Sequence, residues 1–483
     1  MNTHQSISSS DLAKLDHWIG GRSVTPAGGG YFETVDPRTG TKALKVALGD
    51  ASDVQKAVDA AKGAAKDWRF FVAAERGKLL LALAAKLREN KARLAEMEMQ
   101  DSGKPKALAE TEIEGAINYF TFYGSLVYLP VGEVLDVAPD QHVFTRREPF
   151  GVIGIITPWN LPINQAARAA APALVAGNTV VCKPSEITSQ TTVEMAKLAS
   201  EVGFPDGVLN VVLGDGETVG SAIVKNEAVR KVAFTGSVPV GRAIGKIAAE
   251  RIIPLTLELG GKSANIVFED ADLDAAAKDS VKAFTLNAGQ VCSALTRLLV
   301  QKPVYDAFLE KIRAEAETMT PGDNLGPIIT PGQYERVKSY FDVAKEDGAR
   351  TLTGGETAEV ADRQGGFWVK PTIYADVTNE MRIAREEIFG PVLTVIPFET
   401  EEEAIRIAND SEYGLIGTLW TKDIGRAMRV SDLIEAGQIF VNVGNTMSVQ
   451  TPFGGYKNSG YGREKGIEAI HHYSQLKTVT MKF

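Results

Sequence analysis

Cys292 is the residue best placed by type to do covalent chemistry. It is one of two cysteines in the chain and follows Asn287-Ala288-Gly289-Gln290-Val291, where Gly and Gln mark a loop rather than a core helix. A thiolate attacks electrophilic carbon, and it forms near neutral pH only beside positive potential or free N–H groups. The competing reading is a small buried apolar residue, which is what most lone cysteines are. Cys182, inside the run Val180-Val181-Cys182, reads that way. Glu258 ends the stretch Leu255-Thr256-Leu257-Glu258 and precedes Leu259-Gly260-Gly261-Lys262. A carboxylate among apolar neighbours is costly unless functional or paired. Desolvation should raise its pKa, which suits a general base, and a structural pair with Lys262 is the alternative. Asn160, in Pro158-Trp159-Asn160-Leu161-Pro162, could offer its amide to a developing oxyanion. It could equally bond its own turn.

A second group of residues suggests phosphate and ribose chemistry. Phe234-Thr235-Gly236-Ser237 closes an apolar run and opens a helix-like segment, with Gly241 one turn later. Gly214, Gly216 and Gly220 cluster at another strand-to-helix change. Glycines there let backbone approach a pyrophosphate at a helix N-terminus. The strict Gly-x-Gly-x-x-Gly pattern is absent, so ordinary turn glycines remain an open reading. Lys183 and Glu186 follow the strand-like Thr179–Cys182 and could hold ribose hydroxyls, or lie in a solvated loop.

These residues need elements to position them. Helical periodicity appears over Asp53–Lys66 and over Ala73–Met99. From Gly151 onward the pattern alternates. Strands are predicted at Val152–Ile156, Thr179–Cys182, Val208–Leu213 and Val232–Phe234. Helices are predicted at Ala166–Ala176, Thr191–Val202 and Thr218–Lys225. The spacing implies a parallel, doubly wound α/β sheet. Leu257–Val267 opens a second unit with the same alternation.

Composition narrows the function classes. A chain of 483 residues exceeds one ordinary core, so two or three domains are expected. The net charge of −9 argues against a nucleic-acid groove. Two cysteines cannot build a disulfide framework, and the five histidines form no ligand spacing, so no metal site is expected. The polar N-terminus lacks a signal-peptide pattern, and no stretch reaches the roughly 18 apolar residues of a span. No membrane partner and a cytoplasmic location are expected.

Taken together and in order, these segments resemble the aldehyde dehydrogenase superfamily from about Trp18 to the C-terminus. Glu386-Glu387-Ile388-Phe389-Gly390-Pro391 and Pro452-Phe453-Gly454-Gly455-Tyr456-Lys457 add to the match. The resemblance implies NAD(P)-dependent oxidation of an aldehyde to a carboxylic acid through a cysteine hemithioacetal and a thioester. It implies Cys292 as nucleophile, Glu258 as base, and Asn160 with the Cys292 N–H as oxyanion hole. Lys183 and Glu186 would hold the adenosine ribose, Ser237 the pyrophosphate, and Glu387 with Phe389 the nicotinamide ribose. Ile156, Thr157, Trp159, Gly216, Gly220, Phe234 and Leu259 resemble further cofactor positions. Glu186 would repel a 2′-phosphate, so NAD is expected over NADP, with NADP tolerated through Lys183.

The resemblance also implies two Rossmann-like domains and a small β oligomerisation element. The expected limits are 1–124 with 149–258 for the cofactor domain and 259–461 for the catalytic domain. The element would comprise 125–148 with 462–483, in a homodimer or homotetramer. The substrate it implies is an aldehyde, with aromatic, aliphatic and semialdehyde types all open. Arg168 could pair with a substrate carboxylate, or bond neighbouring backbone or a pocket carboxylate, while Met447 and Phe453 resemble pocket walls. Leu286, where succinic semialdehyde enzymes usually carry a second Arg, weakens a dicarboxylate reading. The competing functions are a non-redox thiol acyltransferase or thioesterase, and a catalytically inactive binding protein of the same fold.

Overall fold

The computed structural model describes residues 12–127, 132–444, 446 and 448–483. The largest sheet has eight strands. Its parallel centre runs in the spatial order Leu255–Glu258, Val229–Thr235, Val152–Ile156, Thr179–Lys183, Leu209–Val211. Val152–Ile156 is wholly buried, as are Thr179–Lys183 and Leu255–Glu258. Apolar and β-branched residues dominate these strands, as covered parallel sheets require. The chain winds outward from Val152–Ile156 to Leu209–Val211, then returns to lay Val229–Thr235 on the other flank. That reversal opens a crevice beyond the C-terminal ends of the central strands.

A seven-stranded sheet forms the second layer system. Its order is Arg350–Thr353, Thr372–Ala375, Val392–Phe398, Arg297–Gln301, Ala264–Val267, Ile416–Trp420, Gln438–Val441, parallel except at the first pair. The doubly wound α/β expectation therefore holds for both units. A third sheet joins Ser474–Lys482 antiparallel to Gln141–Pro149 over nine residues, with Val134–Leu135 on the far edge.

Several boundaries differ from the sequence reading, each for a local reason. Leu257–Val267 is not one segment: Leu255–Glu258 ends in the first sheet and Ala264–Val267 begins in the second. Gly260 and Gly261 carry the crossing. Ala73–Met99 breaks at Asn90 into helices Ala73–Glu89 and Lys91–Ser102. The helix expected from Ala166 starts at Pro162, whose fixed φ suits a first turn. The segment Thr218–Lys225 is a π-helical turn, Gly216–Gly220, followed by one short helix. Helix Lys106–Ser125, absent from the sequence reading, packs on the helix Pro162–Val175. Asp50 and Asp53 form a reciprocal cap that starts the helix at Ala51.

The second sheet is tied together by a buried arginine. The Arg297 guanidinium donates to the carbonyls of Lys262 at 3.2 Å, Ile407 at 2.7 Å and Ala408 at 2.7 Å, and to Asn379 Oδ1 at 2.9 Å. Burial pushes its pKa down to about 10. Arg297→Met strands these acceptors, each costing about 1–3 kcal/mol when left unpaired. Denaturant unfolding is expected to show a loss of roughly 3 kcal/mol or more.

Candidate active site

One cavity of about 540 Å³ lies where the two large sheets meet. Its walls follow from strand direction. Pro158 to Asn160, Thr235 to Pro239 and Leu259 to Gly260 leave the C-terminal ends of first-sheet strands. Cys292, Glu386 to Phe389 and Glu412 to Tyr413 come just before second-sheet strands. Of the residues singled out from sequence, Trp159, Asn160, Ser237, Leu259, Cys292, Glu387 and Phe389 all line this space. Trp159 and Phe389 meet edge to face at 5.4 Å.

The loop carrying Cys292 is conformationally costly. Asn287, Ala288 and Gly289 have φ of 52°, 53° and 72° in succession. Left-handed non-glycine residues cost about 1–3 kcal/mol each and persist only where neighbours over-determine them. Here Gln290 does so. It is fully buried, its Nε2 donates to the Asn287 and Pro327 carbonyls at 2.9 and 3.2 Å, and its Oε1 accepts from Ile329 N–H at 2.8 Å. Gly289 packs so closely on the Gly390 carbonyl that a Cβ would collide with it. Asn160 is stitched to the same loop. Its Nδ2 donates to the Gln290 carbonyl at 2.8 Å, while Asn287 Nδ2 donates to the Asn160 carbonyl at 2.9 Å. An amide nitrogen has two hydrogens, so Asn160 retains one N–H beyond the Gln290 bond. Burial pushes the Cys292 thiol up to about 11; Arg168 opposes that shift, while Glu258 and Glu387 add to it.

Glu258 is 1 % exposed, and neither carboxylate oxygen has a hydrogen-bond partner among the described residues. Burial raises its pKa well above the usual carboxylate range, and the nearby Glu464 adds to the effect. It is not bonded to Lys262, whose Nζ is likewise without a hydrogen-bond partner and is pushed down to about 7 by burial. Glu387 is raised to about 7, again by burial, and accepts from Gly261 N–H at 2.9 Å.

The remaining cofactor candidates form a group on the first sheet outside that cavity. Phe234 pairs in register with Ile156. A Cβ on Gly220 would sit 3.8 Å from Ile156 Cδ1 and 3.9 Å from Lys183 Cδ, so the three are neighbours. Thr157 N–H donates to the Lys183 carbonyl at 3.0 Å, and Lys183 pairs with Glu186 at 3.2 Å. The Thr157 hydroxyl is buried without a hydrogen-bond partner among the described residues. Gly216 faces open space.

The substrate-side candidates are placed differently. Arg168 is ion-paired with buried Glu464 and donates to Thr235 Oγ1 at 3.1 Å, which is the pocket-carboxylate alternative. Phe453 lies under the Arg168 guanidinium at 5.3 Å and packs in an apolar cluster that Cys292 touches. Met447 lies outside the described residues. Sequence reading missed Glu464 and Lys104 and took Gln290 only as a loop marker. The available signal was a charged residue close to glycine: Lys104 directly after Gly103, and Glu464 in the charged run between Gly462 and Gly466.

A two-unit α/β fold with a cysteine, a buried carboxylate and a glycine-lined crevice at one seam defines a class of thiol enzyme built around a cleft. The chain belongs to the aldehyde dehydrogenase family, whose profile matches residues 24–479. Betaine aldehyde dehydrogenase of Bacillus subtilis is 40% identical over 454 residues, covering 92% of this chain and 93% of that protein. The indole-3-acetaldehyde dehydrogenase AldA of P. syringae, solved with NAD+ and IAA, superposes with a TM-score of 0.95 at 39% identity, covering 97% of this chain and 96% of that one. KauB, an aldehyde dehydrogenase from Pseudomonas aeruginosa, gives a TM-score of 0.95 at 37% identity over the same shares.

Removing Arg168 strands a buried carboxylate, a loss of about 3–5 kcal/mol. Arg168→Ala is expected to lower the melting temperature and to reduce kcat/KM for neutral and anionic aldehydes alike. A selective loss on anionic aldehydes in a panel assay contradicts this placement.

Proposed function

We propose that this chain catalyses the NAD-dependent oxidation of an aldehyde to a carboxylic acid, with Cys292 as nucleophile, Glu258 as base and Asn160 as oxyanion donor. The observation that carries the reading is the cavity that gathers Cys292, Asn160, Ser237, Glu387 and the Trp159–Phe389 pair. The residues fit a dinucleotide. Gly220 leaves a cradle against Ile156 and Lys183 that a side chain would fill, and Glu387 offers a fixed carboxylate for ribose hydroxyls. Lys183 and Glu186 would hold the second ribose. Glu186 disfavours a 2′-phosphate and already engages Lys183, so NADP takes second place.

When bound, the nicotinamide accepts a hydride. The protein supplies the rest. Cys292 attacks the aldehyde carbon, and the spare Asn160 N–H holds the resulting alkoxide in a water-poor site. Loss of hydride leaves a thioester on Cys292. Glu258, kept basic by burial and without protein hydrogen bonds, takes a proton from the water that hydrolyses it. Non-redox acyl transfer gives the nucleotide-side residues no task. With Arg168 held by Glu464, the reading favours aromatic or aliphatic aldehydes over substrates anchored by a carboxylate there. We also infer the domain limits given above. Association through the Gln141–Pro149 and Ser474–Lys482 sheet follows the same reading, since Leu476 and Met481 are exposed on it.

The test is NADH production across an aldehyde panel with NAD and NADP. Cys292→Ala is expected to bind NAD but form no NADH. Glu258→Gln is expected to give one burst of NADH and then stall on the acyl-enzyme, seen by mass spectrometry; an undiminished steady state rejects its role. Because Glu387 titrates near 7, its ionised form accepts ribose hydroxyls above that pH and loses this capacity below it. KM for NAD should therefore rise as pH falls from 8 to about 6, and Glu387→Gln should flatten the profile.

A further inference from the structure

The segment between Ile156 and Pro162 has no helix or strand, yet its Asn160 must hold its amide steady. Pro158 and Pro162 flank it and have no N–H with which to anchor it. The anchor comes instead from a lysine far earlier in the chain. Lys104 lies between helices Lys91–Ser102 and Lys106–Ser125 and is 2 % exposed. Its ammonium contacts Glu112 Oε1 at 2.6 Å, the Asn160 carbonyl at 3.2 Å and Glu98 Oε2 at 3.4 Å. Glu98 uses its other oxygen to accept from Ile163 N–H at 3.1 Å and the Thr191 hydroxyl at 2.7 Å. The Asn160 carbonyl thus has two donors, Lys104 from the helical layer and Asn287 from the nucleophile loop. Burying an ammonium is expensive and is repaid only by good partners. Two carboxylates alone would satisfy the charge; the third bond reaches the peptide of Asn160, which lines the same cavity as Cys292.

We propose that Lys104 is a positioning residue for the reaction, fixing the Asn160 peptide so that the Asn160 amide meets the oxygen of an aldehyde held at Cys292. The inference rests on the reading of Asn160 as oxyanion donor. Its energetic logic is preorganisation: a donor already aimed at the developing charge needs no rearrangement when the charge appears. Glu98 and Glu112 fix the ammonium, and the ammonium fixes the carbonyl. No proton need leave Lys104.

The test is a double-mutant cycle on the full-length enzyme. Lys104→Met removes the bond, and Lys104→Met/Glu112→Gln removes it together with one carboxylate, easing the charge imbalance that could unfold the single variant. Each is assayed with NAD and a good aldehyde, with rates taken per active thiol by NADH burst. The expected result is a kcat about 10- to 100-fold lower, the scale of a small misplacement of a catalytic group, with KM for NAD within about twofold. In an Asn160→Ala background the same changes should cost less than about twofold, because the group Lys104 acts through is gone. Losses that multiply in the combined variants, or a kcat per thiol that stays at the unmodified value, overturn the proposal. A fully active Asn160→Ala enzyme overturns the oxyanion assignment itself, and the proposal with it.

Discussion

The structure depends on a chain crossing that happens in five residues. Glu258 ends a strand of the first sheet, and Ala264 begins a strand of the second. Between them Gly260 and Gly261 pass so close to Glu387 and to the Cys292 carbonyl that a Cβ on either would overlap its neighbour. Gly261 N–H is bonded to the Glu387 carboxylate at that point. The crossing sets the C-terminal ends of one parallel sheet against the N-terminal ends of another. Loops of both sheets then converge on one space, to which the first sheet brings Asn160 and Ser237 and the second brings Cys292 and Glu387.

The seam is held by polar groups rather than by apolar packing alone. Gln290 ties the strained Asn287–Gly289 turn, through the Asn287 carbonyl, to the backbone of Pro327 and Ile329. Across the boundary between the units, Asn160 Nδ2 donates to the Gln290 carbonyl and Asn287 Nδ2 donates to the Asn160 carbonyl. Each bond is worth only about 1 kcal/mol net, yet losing one partner exposes a buried group to the full desolvation penalty. Such a network acts more through geometry than through stability. The exceptions to its satisfaction are informative: both Glu258 oxygens, the Asn160 oxygen and Lys262 Nζ lack hydrogen-bond partners among the described residues.

Much of this was legible in the sequence. The alternation after Gly151 gives the doubly wound sheets because buried strands read as apolar runs and their helices as 3.6-residue stripes. The burial of Glu258 could be read from its leucine neighbours, and so could its raised pKa. Cys182 was separable from Cys292 because one sits within a strand pattern and the other after a glycine. What escaped was long-range or depended on breaks within a pattern. Nothing near Arg168 announces Glu464 as its partner. Periodicity runs through Asn90 although the helix does not. The apolar run from Leu257 to Val267 hides a change of sheet, because a local window sees hydrophobicity and not the partner that covers it. Lys104 looks like a solvated turn residue until its two flanking helices fold Glu98 and Glu112 onto it and the distant Asn160 carbonyl meets it.

Placing the sulfur on one sheet's approach and the carboxylate on the other sheet's exit has a mechanical consequence. On the proposed mechanism hydrolysis would require both groups, whereas grasping a nucleotide would draw mainly on the first sheet, with Glu387 and Phe389 from the second. A slight shear of one half against the other would therefore uncouple release of the acyl group before it loosened the dinucleotide. On that reading the seating of the two halves would act as a built-in calliper, whose gap turnover would sense before global unfolding did.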